Sequence, residues 1–115
     1  MLQYQSQPLD LAFQALSDPG RRAMVERLSF GSASVSELAK PLPMTLSAVV
    51  QHLKILEEAG LVKSQKVGRV RTCTLEIRMM TQVEIWIAER KRFWEHHYDQ
   101  LEAYLAQTTP KEDDQ

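Results

Sequence analysis

Residues 34–75 read SVSELAKPLPMTLSAVVQHLKILEEAGLVKSQKVGRVRTCTL, and this segment decides the fold. Its centre, from Met44 to Val62, contains the signals that start and stop a helix. Thr45 can cap the helix N-terminus with its hydroxyl group, and Gly60 can adopt the left-handed backbone conformation that ends it. The sequence therefore predicts a helix between these two residues, with both ends specified locally.

The predicted helix has an apolar side and a polar side. Four apolar residues recur at spacings of three and four: Leu46, Val49, Leu53 and Leu56. We expect this stripe to be buried against the rest of the domain. The opposite side carries polar residues at the same spacings: Ser47, Gln51, Lys54 and Glu58. Such groups can pair with bases and phosphates in a DNA major groove, but an ordinary surface helix can carry them too.

The residues before this helix favour the DNA interpretation. Ser34 and Glu37 have the spacing of a capping box, which predicts a short helix, and Pro41 and Pro43 end it. A short helix followed closely by a second helix with a polar face is the helix-turn-helix arrangement, whose second helix enters the major groove.

The residues after it predict a basic β-hairpin. Two runs rich in β-forming residues flank Gly68 and Arg69, and the glycine can supply the backbone angle of a tight turn. The hairpin carries four cations: Lys63, Lys66, Arg69 and Arg71. These charges are typical of a wing that contacts phosphates or the adjacent minor groove.

This ordered set of motifs resembles the winged-helix repressors of the ArsR family. Residues 34–39 resemble the first motif helix of the family, residues 47–56 its recognition helix, and residues 60–62 the start of its wing. Residues 15–22 resemble the entry into the second helix, so the similarity covers most of the chain. Val50 departs from the pattern, because relatives usually carry a small hydroxyl residue there; a valine can instead touch a thymine methyl group.

The resemblance implies a mainly α-helical winged helix-turn-helix fold with about five helices, a two-stranded wing and a homodimer formed through the terminal helices. For base contacts we predict Ser47, Val50 and Gln51. For contacts to the DNA backbone or groove edge we predict Thr45, His52, Lys54, Lys66, Arg69 and Arg71. Arg21, Arg22 and Arg27 on the preceding helix are expected to be solvated or paired within the chain rather than bound to phosphates.

Composition is that of a soluble globular protein, with 115 residues, 43% hydrophobic and 25% charged. The net charge of −1 is unevenly distributed: residues 33–78 have seven Lys or Arg against four Asp or Glu, whereas residues 79–115 have four against eight. This pattern fits a basic DNA-binding face and an acidic remainder. No apolar run reaches the length of a membrane span and no secretion signal is present, so we expect a cytoplasmic protein without membrane contact.

A long helix is predicted over residues 81–106, starting at a capping box formed by Thr81 and Glu84. Its apolar residues recur every seven positions and exceed what a small domain can cover, which favours a dimer. The predicted dimer interface comprises Leu9, Phe13, Val83, Ile87, Trp94, Tyr98, Leu101 and Leu105. The alternative is a helix folded back on its own domain. We assign residues 1–110 to a single domain and residues 111–115 to a disordered tail.

The sequence does not predict a metal or another cofactor. Val35, Ser36 and Glu37 stand where many ArsR relatives carry metal-binding cysteines, and the acidic and histidine residues at 95–99 do not reproduce the spacing of the family's other metal site. Cys73 is the single cysteine, which excludes an intrachain disulfide, and its position in the wing predicts burial. Aromatic residues of the long helix could line a pocket for a small-molecule effector, but a role in the dimer core is favoured, and the effector is unknown.

Three classes of function follow from these observations. The leading hypothesis is a homodimeric transcriptional repressor that binds a pseudo-palindromic operator in double-stranded DNA. The second is a winged-helix module that binds proteins without reading DNA. An enzyme comes last, because the sequence contains no phosphate-binding glycine loop, no paired carboxylates and no nucleophile beside a histidine.

Overall fold

The computed structural model of the protein describes residues 7–108. Its helices are α1 (Gln7–Leu16), α2 (Pro19–Leu28), α3 (Val35–Ala39), α4 (Leu46–Glu58) and α5 (Ile77–Thr108). Its strands are β1 (Ala33–Ser34), β2 (Val62–Val67) and β3 (Val70–Leu75). The described chain divides after Val83 into two compact units. The assignment of residues 1–110 to one domain stays a prediction, and the predicted tail at 111–115 lies outside the described residues.

Helices α1 and α2 are joined by side chains that cap backbone ends. Asp18 accepts a hydrogen bond from the backbone N–H of Arg21 at 3.0 Å, and Pro19 follows as the first helical residue. Arg21 and Arg22 point back to the end of α1, donating to the carbonyl oxygens of Ala15 at 2.7 Å and Leu16 at 2.9 Å. The two arginines thus satisfy carbonyl groups that a helix end leaves unpaired.

The predicted helix signals of the central motif are confirmed. Ser34 and Glu37 form both hydrogen bonds of a capping box at the start of α3, and Thr45 accepts from the backbone N–H of Ala48 at the start of α4. Gly60 has a φ of 75°. The backbone N–H of Leu61 donates to the carbonyl of Leu56 at 3.0 Å, which completes a Schellman ending.

The apolar stripe of α4 is buried along most of its length. Val49, Leu53 and Leu56 are at most 3% exposed, but Leu46 is 58% exposed, so its predicted burial is wrong. The reason is its position: Leu46 is the first helical residue after the cap, and the buried stripe begins with Val49. The core of the first unit also contains Met24, Leu28, Leu38, Leu61, Val62 and Cys73.

The predicted hairpin is confirmed, and the structure adds a third strand to it. Strands β2 and β3 pair in antiparallel register, with Val67 opposite Val70 beside the turn, and Gly68 has a φ of 64°. The two-residue strand β1 pairs with the other edge of β3, so the strand order is β1-β3-β2. Ala33 lies opposite Cys73, and both are buried in the core.

Helix α5 begins at Ile77, four residues before the predicted start, so the capping box at Thr81 and Glu84 is wrong. Thr81 is inside the helix and its hydroxyl donates to the carbonyl of Ile77 at 3.1 Å. Glu76 precedes the helix and its carboxylate accepts from the backbone N–H of Arg78 at 3.5 Å. A carboxylate at this end favours the helix because it faces the positive end of the helix dipole.

The structure also contradicts the prediction that Val83 is part of an exposed dimer-forming face. Its side chain is 7% exposed and belongs to the core of the first unit, together with partly buried Met79 and Met80. The first turns of α5 therefore complete this core, and Val83 has little surface left for a dimer interface. Leu9 of the predicted interface is also half-buried against the core, whereas Phe13 is 37% exposed.

From Glu84 onward, α5 exposes a long series of apolar side chains. Those at least 40% exposed are Ile85, Trp86, Ile87, Phe93, Trp94, Tyr98, Leu101, Tyr104 and Leu105. The guanidinium of Arg90 lies over Trp86 and Phe93, at 5.1 and 5.8 Å from their ring centroids. Both aromatic rings thus contact a cation on their own helix, and Phe93 remains 66% and Trp86 40% exposed.

Candidate nucleic-acid interface

The polar face of α4 is open along its length. Ser47, Gln51 and Lys54 are exposed, and Val50 is 51% exposed beside them. Because the opposite side of the same helix is buried, the backbone is fixed and these side chains extend outward together. An amide, a hydroxyl, an ammonium and a methyl-bearing side chain on one convex helix can contact the base edges of a major groove.

Two predicted backbone contacts, Thr45 and His52, have structural partners within the chain. The Thr45 hydroxyl accepts the capping bond but keeps its own proton free to donate. The Nδ1 atom of His52 lies 3.2 Å from Nη1 of Arg21. Since an arginine only donates, Nδ1 must accept, and a neutral His52 carries its proton on Nε2. His52 is therefore a half-buried, oriented donor rather than a free surface side chain.

Sequence reasoning missed the pairing of Arg21 with His52. The two residues are 31 positions apart, and no local pattern links a helix-capping arginine to a histidine on another helix. Arg21 also donates to the carbonyl of Gln14 at 3.2 Å, so one guanidinium joins α1, α2 and α4. The pair thus links α4 to the two preceding helices.

The wing carries its cations on both strands and at the turn between them. Lys66 and Arg69 are exposed, with Lys66 opposite Arg71 in the β2–β3 register. At the turn, Val67 and Val70 are 64% and 51% exposed. Lys63, nearer the base of the wing, lies 3.7 Å from the carboxylate of Glu76 and is partly compensated.

Arg71 is connected to α4 through a hydroxyl group. Its Nη1 donates to Oγ of Ser64 at 3.1 Å, and the Ser64 hydroxyl donates to Oε2 of Glu57 at 2.7 Å. Sequence reasoning missed Ser64 and Glu57, although both lie inside the motif, because a serine and a glutamate give no spacing signal for a contact between helix and strand.

A cleft of about 470 Å³ lies between α3, α4 and β3. It is lined by Val35, Val50, Leu53, Lys54, Glu57 and Arg71. The structure therefore brings three predicted DNA-contacting residues, Val50, Lys54 and Arg71, around one concave surface. Lys66 and Arg69 do not line this cleft and lie further along the wing.

Cys73 lies on β3 and is fully buried. Burial raises the pKa of its thiol, as does the negative charge of Glu57, while Arg71 acts in the opposite direction. The thiol therefore stays protonated at neutral pH and behaves as a small apolar group of the core.

Within residues 7–108, no three His, Cys, Asp or Glu side chains are grouped so that they could hold a metal ion. Among the helices of that same range, none combines the length and the apolar character needed to cross a bilayer.

A short capped helix, a second helix with an open polar face and a basic hairpin define a winged helix-turn-helix protein. Comparison with known families agrees with this class. Residues 18–64 match the family described as "Bacterial regulatory protein, arsR family". The HTH-type transcriptional regulator Rv2034 of Mycobacterium tuberculosis is 42% identical over 85 residues, which cover 74% of this chain and 77% of that protein. The chain belongs to the ArsR family of bacterial transcriptional regulators.

Further relatives and solved structures agree. A transcriptional repressor SmtB homolog of Synechocystis sp. is 37% identical over 65 residues, covering 56% of this chain and 49% of that protein. The crystal structure of an ArsR family transcriptional regulator, RHA00566, is 49% identical with a TM-score of 0.74, covering 77% of this chain and 98% of that one. An ArsR-like transcriptional regulator from Rhodococcus sp. RHA1 is 28% identical with the same TM-score, and the match covers 84% of this chain and 92% of that one.

Proposed function

We propose that the protein is a homodimeric transcriptional repressor that binds a pseudo-palindromic operator and thereby blocks transcription. Each protomer places α4 in a major groove and its wing on the neighbouring backbone or minor groove. Its target is chromosomal DNA, so we assign it to the bacterial cytoplasm. The proposed repression needs binding alone, and no residue is assigned to catalysis.

The observation that carries this proposal is the outward face of α4. Ser47, Val50 and Gln51 are exposed together on a helix whose other side is buried, and we assign them to base contacts. The side chains that flank this face are assigned to the DNA backbone or groove edge: Thr45, His52, Lys54, Lys66, Arg69 and Arg71. Several cations beside an open polar helix make a surface suited to a polyanion.

We assign dimerisation to the exposed apolar side of α5. The side chains proposed for it are Ile87, Trp94, Tyr98, Leu101 and Leu105, with Phe13 of α1. Such a continuous series of exposed apolar residues is typical of an interface, and a homodimer would bury it symmetrically. The solution structure of Mb0332 from Mycobacterium bovis, described as a homodimeric winged helix-turn-helix domain, has the same fold at 18% identity and a TM-score of 0.59.

Footprinting of the DNA upstream of the protein's own gene, in a series of salt concentrations, tests this function. We expect protection of a symmetric site whose two half-sites lie about one helical turn, or a multiple of it, apart. Affinity should fall steeply as salt rises, because bound lysines and arginines release counterions from the phosphates. Absence of protection at low salt by a folded dimer would reject the proposal and favour a protein-binding winged helix.

A further inference from the structure

The cleft between α3, α4 and β3 has two chemically distinct parts. One part of its lining is apolar and comprises Val35, exposed Val50 and buried Leu53. Its rim is charged and carries Lys54 and Glu57 on α4 and Arg71 on β3. The rim therefore holds two cations and one carboxylate, and that carboxylate already accepts a hydrogen bond from Ser64.

The sugar–phosphate backbone of DNA has the complementary chemistry. Its deoxyribose rings present carbon atoms that can lie against an apolar surface, and its phosphates pair with lysine and arginine. The position of the cleft in the fold also fits a DNA backbone. When a helix occupies a major groove and the neighbouring wing reaches the adjacent minor groove, the backbone of one strand runs between them. The cleft lies between α4 and the β3 strand of the wing, where this backbone would pass.

The side chain of Arg71 is held at this rim by a two-step chain of hydrogen bonds. The guanidinium donates to Ser64, and Ser64 donates to Glu57 on α4. The hydroxyl of Ser64 thus accepts one bond and donates one, so its orientation is fixed from both sides. An arginine that is already oriented loses less rotational freedom when it binds a phosphate than a freely moving arginine does.

We propose that this cleft seats the sugar–phosphate backbone of one DNA strand, and that Ser64, oriented by Glu57, is the positioning residue that keeps Arg71 at its rim. Lys54 contacts the same strand from the side of α4. Glu57 acts through Ser64 and does not contact the DNA. This inference rests on the proposed function, because it assigns a place to one strand of the operator.

The pair Ser64→Thr and Ser64→Val tests the hydroxyl with little change of shape. Both substitutes are β-branched and suit a strand, and only threonine keeps the hydroxyl group. We expect Ser64→Thr to retain operator affinity and Ser64→Val to lose about threefold, since an oriented arginine is worth more than a mobile one. Equal thermal unfolding of the two variants would show that the loss does not come from folding.

Double-mutant cycles then separate positioning from a general effect on the wing. Arg71→Ala should weaken operator binding about tenfold and lower the salt slope by about 1. Combining it with Ser64→Val should cause no further loss, because the hydroxyl acts only through Arg71. Arg69→Ala is the matched control: this cation belongs to the same wing but has no described contact with Ser64, so its cost and that of Ser64→Val should multiply.

Phosphate ethylation interference tests whether a DNA backbone lies in the cleft. We expect ethylation to interfere with binding at a phosphate between the major-groove bases contacted by α4 and the minor groove contacted by the wing. That interference should weaken in both Arg71→Ala and Ser64→Val. Equal affinities of the threonine and valine variants, independent costs of Ser64 and Arg71, or interference only elsewhere would overturn the inference. Failure of the unmodified protein to bind DNA would reject the proposed function instead.

Discussion

Asp18 shows how a single charged residue contributes to stability by capping a helix. The hydrogen bond from the backbone N–H of Arg21 is the main cause that lowers the pKa of its carboxyl group, and the charge of Arg21 acts in the same direction. Since the folded-state pKa lies below the unfolded one, the ionised carboxylate stabilises the fold above the unfolded value of about 4. This contribution is lost as the pH falls through the folded pKa.

We therefore predict that Asp18→Asn changes the pH dependence of folding. Asparagine can still accept the capping bond, but it has no charge to lose. At pH 7 the variant should be less stable than the unmodified protein, and the difference should be smaller at pH 3, below the unfolded pKa of about 4. Urea denaturation at both pH values, at one fixed protein concentration, measures this. A difference that stays constant with pH would contradict the electrostatic account.

Gln51 and Arg69 are expected to contribute to binding in different ways. Gln51→Ala should weaken preference among operator sequences, because an amide on α4 can make paired hydrogen bonds to an adenine. Arg69→Ala should weaken binding to all DNA alike and reduce the salt slope by about 1. Binding to a set of single-base operator variants, each at several salt concentrations, distinguishes the two effects. Unchanged base preferences in Gln51→Ala would remove Gln51 from the base-contacting set.

Gly60 fixes the connection between α4 and the wing at the scale of secondary-structure elements. With a φ of 75° it occupies a left-handed conformation, and a Cβ atom placed there would lie 3.8 Å from Cβ of Met79, an ordinary contact. The cost of a substitution at Gly60 is therefore a backbone cost. We predict that Gly60→Ala destabilises the fold by about 1–2 kcal/mol.

Gly60→Asn is the matched variant for this prediction, because asparagine adopts left-handed angles more readily than alanine. It should lose clearly less stability than Gly60→Ala in urea denaturation. Equal losses in the two variants would mean that space, and not the backbone angle, limits this position.

The success of sequence-based prediction also depended on the kind of element. Caps and stop signals predicted α3 and α4 correctly because Ser34, Thr45 and Gly60 act on backbone groups within a few residues. The start of α5 was wrong, because Thr81 and Glu84 have capping spacing but the chain is already helical there. The extra strand β1 has two residues and is paired by β3, some forty positions later, so no local pattern marks it.

The candidate site was predictable where exposure follows from helical periodicity. The open face of α4 follows from its buried stripe, and the wing cations stand in an alternating strand. The hydrogen bonds of Arg21 with His52 and of Ser64 with Glu57 depend on how the helices and strands pack. No spacing of residues in the sequence predicts them. Those tertiary contacts orient side chains, and the sequence alone did not predict these orientations.

At the scale of the whole molecule, the apolar residues of α5 are expected to decide the oligomeric state. Trp94 is 65% exposed, and we assign it to the dimer interface. We predict that Trp94→Glu yields monomers, since a buried carboxylate without a partner is costly in an apolar interface. Operator affinity should then fall by about tenfold or more, because the two half-sites are no longer bound through one linked molecule.

Ala103→Glu is the control for this variant. It adds the same charge to the same helix, but Ala103 is aligned with His96 and Asp99 on the polar side. Light scattering after size-exclusion chromatography should find this variant unchanged in mass and Trp94→Glu at half the dimer mass. A dimer that survives Trp94→Glu would place the interface elsewhere.

Strand β3 is hydrogen-bonded on one side to β1, which runs directly into α3, and on the other to β2, which follows α4. The wing is thereby connected to both ends of the helix-turn-helix segment, which fixes its distance from α4. If the protein binds an operator as proposed, we expect each half-site to be inherited as a unit of constant length. Single-base substitutions within a half-site should then be tolerated or compensated. A base pair inserted or deleted inside it should instead disrupt binding at once, because the half-site would no longer fit the spacing of α4 and the wing.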